Sequence, residues 1–201
     1  MRRPGGSALN SGQVAGFRAA DRIAHVYAEP SLDPAAFQAA AQTAAADLFG
    51  FLDQCAAAKT SWEEEREAFQ ARMSKAGAHI RSADALAEAV EEARAQWTRL
   101  KAEACRADTP AARIEAVRNR QLCYAHLAYL EAVRFAVQSG VGSRGSALVL
   151  TPDGTPAHER LGDDWRFAPE DESFRTKVQE TRPAGDTFEH AWVDCRPIPE
   201  S

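Results

Sequence analysis

Three glycines, Gly140, Gly142 and Gly145, stand in the stretch GVGSRGSALVL (140–150) at the spacing G-x-G-x-x-G. Glycines so spaced cradle a dinucleotide pyrophosphate when they follow a strand and open a helix, whose N-terminal N–H groups then meet the phosphates. Here the order is reversed. The preceding RIEAVRNRQLCYAHLAYLEAVRFAVQ (113–138) reads as a long helix, and residues 147–150 read as a short strand closed by the turn-forming TPDG. Helix, glycine loop, strand is the wrong polarity for holding phosphate. Gly140 is instead expected to stop the helix in a left-handed conformation. Arg144, in the same loop, is a candidate for meeting a substrate or another anion, although an arginine beside a helix end first serves to bind backbone carbonyls.

The remaining chemistry-bearing residues are scattered. Cys55, Cys105, Cys123 and Cys195 are far apart and form no C-x-x-C, so neither zinc nor an iron–sulfur cluster is expected. Three of them fall in helical patterns and read as small buried apolar groups. The acidic run WEEERE (62–67) has no histidine spaced to join it as a metal ligand and reads as a solvated helix face. His126 sits in an apolar helix with no second histidine three or four positions away, which points to a hydrogen-bonded core residue. No Ser, His and Asp are arranged around a nucleophile elbow, and no residue is nominated as catalytic.

Composition narrows the class. Of 201 residues, 45% are hydrophobic and 26% charged, as in ordinary globular domains. The net charge of −5 argues against nucleic acid as the main partner, because phosphate binding needs a basic surface. The opening MRRPGGSALN has two arginines but no apolar region behind them, so no export signal is expected, and no run reaches the roughly 18 apolar residues of a membrane helix. Widely spaced thiols fit a reducing cytoplasm.

These residues must be held by a mainly helical chain. NSGQVAGFRAADRIAHVYAEP (10–30) predicts a helix capped by Asn10 or Ser11 and ended by Pro30, with the glycine-rich stretch before it a loop. A second helix follows SLDP, with Pro34 at its first position, and a third spans 60–77 behind the cap Ser61. The clearest amphipathic helix is 82–107, capped by Ser82, with Leu86, Val90, Ala93, Trp97 and Leu100 on one stripe. Thr109 and Pro110 open the next, which is apolar nearly all round from Leu122 to Val137 and is therefore expected to be central. Near the end, two extended runs flank the turn PAGD (183–186), the pattern of a β-hairpin.

Four stretches, in order, resemble the C-terminal portion of FAD-dependent flavoproteins of the succinate dehydrogenase/fumarate reductase type, a family that includes L-aspartate oxidase. ALNSGQVAGFRAADRIA (8–24) is similar to the last flavin-contacting loop and helix of the flavin domain. FQARMSKAGAHIRSADALAEAVEEA (69–93) is similar to the family's M-x-x-x-x-G-x-x-R-x-x-x-x-L stretch, and RNRQLCYAHLAYLEAVRFAVQSGVGSRGS (118–146) to its R-N…S-R-G segment. DDW (163–165) and ETRPAGDTFEHAWVDCRPIP (180–199) resemble the closing hairpin.

The resemblance implies a mainly α fold: a helical bundle of the flavoprotein C-terminal type with a small C-terminal β-hairpin. Residues 1–30 would be a remnant of the flavin-binding domain, 31–145 the bundle, and 146–201 an irregular tail carrying the hairpin. It also implies FAD as cofactor, bound only together with a complementary flavin-binding domain or subunit. Asn10, Ser11, Gly12, Gln13 and Val14 would touch it, the N–H groups of Gly12, Gln13 and Val14 stabilising charge at the flavin's pyrimidine edge. Hydride transfer to or from a small organic acid is the implied reaction. Three departures count against a self-sufficient enzyme. No phosphate loop follows a strand, Gly5 and Gly6 stand where the family has its substrate-binding arginine, and no histidine follows Ser143-Arg144-Gly145. The alternative is a non-catalytic helical interaction module, which associates with itself or with another protein.

Overall fold

The computed structural model describes residues 5–27 and 33–195, with side chains from residue 10. It divides after Asp47 into two units.

The first unit holds α1 (Gly5–Val26) and the start of α2 (Pro34–Gln54). Helix α2 begins as its sequence predicts: Pro34 occupies the first position and the Asp33 carboxylate accepts the Ala35 N–H at 2.9 Å. Helix α1 does not. It starts at Gly5, so Asn10 and Ser11 lie inside it rather than at its N-cap, and the stretch read as a loop is helical from Gly5 on. Ala8 and Leu9 are strong helix formers, and Ser or Asn in a helix interior is close to neutral, so the helix propagates back past them. The helix stop read at Pro30 lies outside the described residues.

In the second unit local signals set three helix starts. Helix α3 (Trp62–Arg72) opens with a full capping box, Ser61 Oγ accepting from the Glu64 N–H and the Glu64 carboxylate from the Ser61 N–H. Ser82 caps α4 (Ala83–Glu103) and Thr109 caps α5 (Pro110–Gln138), with Pro110 at its first position. Between α3 and α4 come one π-helical turn, Met73–Gly77, and a short strand β1 (Ile80–Ser82).

Strand β1 pairs in parallel with β2 (Leu148–Pro156), with Ile80 opposite Leu148; α4 and α5 form the crossover that parallel pairing requires. Strand β2 also pairs antiparallel with β3 (Arg166–Phe167), with a register shift between Leu150 and Thr155. TPDG (151–154) is therefore not a turn that ends the strand but the irregular middle of it. The predicted hairpin is present as β4 (Lys177–Ala184) and β5 (Thr187–Asp194), with Ala184 opposite Thr187, so its turn is tighter than PAGD suggested.

The core has two parts. Phe51, Cys55, Phe69, Leu100, Cys105 and Cys123 form one; Leu86, Val90, Ala93, Leu127 and Leu130 form the other, and Trp97 packs against both. Helix α5 is central, as its composition predicts, with α3 and α4 on it and both hairpin strands against it. Trp192 and His190 of β5 stack on Phe135, and Gln179 of β4 donates to the Ala132 carbonyl at 2.8 Å. The chain's own tail thus covers part of the apolar helix.

Candidate functional site

Among the described residues of the second unit the two buried carboxylates, Glu65 and Glu131, are both met by arginines. Glu65, in the acidic run read as solvated, is fully buried; it takes both forks of the Arg99 guanidinium and a 2.7 Å hydrogen bond from Gln96 Nε2. Gln96 Oε1 accepts from Arg72 at 2.8 Å, and Arg72 lies 3.3 Å from His126 Nε2. This row crosses α3, α4 and α5. Burial, and then the Arg72 charge, push the His126 pKa down to about 4, so its ring is neutral and Nε2 accepts from Arg72. The reading of His126 as a partnered core residue holds. Nearby, Glu131 is buried between Arg94 and Arg134, and Arg66 bridges Asn119 and Glu115, each at 2.8 Å. An ion pair hidden in a helix junction costs desolvation unless every hydrogen-bonding position is filled. Here the partners are mutual, which marks a structural lock rather than a set of groups waiting for substrate.

The thiols follow the same logic. Cys55, Cys105 and Cys123 are buried and free, while Cys195 is exposed. Burial pushes the Cys105 and Cys123 thiols up to about 12, which removes the thiolate that a nucleophile needs at neutral pH. Among the described residues no three His, Cys, Asp or Glu side chains are placed to hold a metal ion.

The glycine loop stops α5 and turns the chain into β2. Gly140, Gly142 and Gly145 all have positive φ. At Gly142, φ is +71° and a Cβ would stand 1.9 Å from the Pro169 carbonyl oxygen, so only glycine fits. Ser143 Oγ accepts the Val149 N–H at 2.8 Å, which pins the loop to the strand. Arg144 donates to the Phe174 carbonyl at 3.1 Å and stands 3.7 Å from the Glu170 carboxylate. It binds a carbonyl, as an arginine in such a loop is expected to, but one from the 3-10 turn at 172–176 rather than from α5.

The surface depressions of this unit are shallow. One, about 340 Å³, lies between α3 and α4 on an alanine floor of Ala68, Ala71, Ala85 and Ala89. Its Arg72 is already paired with Glu92 at 2.9 Å. Another brings together Asp84, Asp163 and Asp164, where the Ser82 hydroxyl is engaged in capping α4.

The first unit carries the residues expected to meet flavin. Asn10, Ser11, Gly12, Gln13 and Val14 are exposed along α1, beyond its first turn. There each N–H is directed at the carbonyl four residues back. Gly12, Gln13 and Val14 therefore offer no free helix-end donors, and their backbone does not fit the role of stabilising charge on a flavin ring. What α1 does present is a face. At 3.6 residues per turn, Gly12, Gly16, Ala20 and Ala24 line up in one stripe. Phe17 (78% exposed), Ile23 (62%) and Val26 flank it. Arg18, Asp21, Arg22 and His25 occupy the opposite arc, with His25 3.2 Å from Asp21. Among the described residues nothing requires glycine at 12 or 16, since a Cβ at either would meet nothing within 4 Å. The small stripe was legible in the sequence as a four-residue repeat; a helix start placed at Asn10 or Ser11 hid it, because Gly12 then falls in the first turn as an N–H donor.

No described helix is long and apolar enough to cross a membrane. Comparison of the chain with known protein families, with curated proteins and with solved structures finds no match.

Proposed function

We propose that this chain is a helical part of a larger assembly, not catalytic by itself, which lays α1 against another polypeptide. One observation carries the reading: the amphipathic face of α1, whose large apolar side chains are exposed on both sides of a small-residue stripe. A helix in water draws most of its stability from packing an apolar face, and interior glycines cost about 0.5–1 kcal/mol each relative to alanine. Both costs are offset when a second backbone approaches the stripe closely.

The resemblance of four ordered stretches to the succinate dehydrogenase/fumarate reductase flavoproteins suggests the partner: a flavin-binding polypeptide. The pair would form a FAD-dependent oxidoreductase that transfers hydride to or from a small organic acid. In that assembly α1 contributes packing and residues 10–14 take no part in the hydride transfer. A second reading, a cofactor-free interaction module, is favoured by the position of Gly12, Gln13 and Val14 inside the helix.

Gel filtration of the purified chain with added FAD, alone and after passage over its native extract, tests the proposal. The expected result is a colourless chain alone and a larger complex with flavin absorption bands, lost in Gly16→Leu while the fold is kept. Flavin bands on the isolated chain overturn the need for a partner. A complex without flavin bands supports the interaction module. No complex at all defeats both.

A further inference from the structure

We draw no further inference here: the strongest candidate, the apolar face of the first helix with its stripe of Gly12, Gly16, Ala20 and Ala24, belongs to the docking surface already described, and nothing in the structure shows what covers it.

Discussion

The two units treat apolar side chains in opposite ways. From Leu48 onward the chain buries leucines, cysteines and even carboxylates among its own helices. In residues 10–27 and 33–47 every side chain is exposed, Phe17, Ile23 and Phe37 included. Composition does not explain the contrast, since α1 and α2 are no more polar than α4 or α5. The difference lies in partners. Helix α5 has two helices and a hairpin packed on it, whereas the described side chains of α1 are all exposed. Apolar side chains packed inside a fold and apolar side chains at its surface look the same in composition, and only their burial separates them.

Matched truncations break this comparison most directly. Leu127→Ala should cost about 2–5 kcal/mol in urea unfolding, because it opens a cavity among Leu86, Val90 and Leu130. Phe17→Ala should change the stability of the isolated chain by less than about 0.5 kcal/mol. Comparable losses would show that α1 packs as a core element.

Buried charge gives the next effect. Glu65→Ala takes from Arg99 the carboxylate it is paired with and leaves Gln96 Nε2 only the residue 65 carbonyl. Losing one partner of a buried pair costs about 3–5 kcal/mol, and the low end is expected because the Arg99 side chain is 38% exposed and can turn to water. A thermal melt that matches wild type would mean that the pair contributes nothing.

The His126 ring predicts a pH dependence of smaller size. Its pKa is about 4 in the fold and 6.5 when free, so between those values the unfolded chain binds a proton that the folded chain refuses. Stability therefore falls as pH drops from about 6.5 towards 4. With one pKa unit worth about 1.4 kcal/mol, roughly 2 kcal/mol should be lost between pH 7 and pH 5. His126→Gln should flatten that part of the profile; an unchanged profile would assign the dependence to other groups.

The smallest effect has the opposite sign. Gly16→Ala should stabilise helix α1 in the isolated chain by about 0.5–1 kcal/mol, seen as a gain in helicity by circular dichroism, because nothing crowds the new methyl. It should also weaken any complex formed through α1, and a gain in both would remove the stripe from the docking face.

Much of the fold was legible locally. Ser61, Ser82 and Thr109 each cap the predicted helix, because a cap needs only a hydroxyl and an N–H two or three residues on. Gly140 stops α5, and the closing hairpin stands where its turn residues place it. The candidate site was harder to read. An Asn-Ser pair before an apolar run looks the same whether the helix starts there or passes through it, and at α1 it passes through.

By itself, the sequence of this protein determined the starts of most of its helices, the stop at the glycine loop and the hairpin, since these depend on bonds between near neighbours. The tertiary structure alone decided that Glu65 is buried on Arg99 while its neighbours Glu63 and Glu64 face water, and that Ile80 pairs with Leu148 across two helices. Each of these depends on which distant surfaces meet, and neither propensity nor periodicity along the chain carries that information.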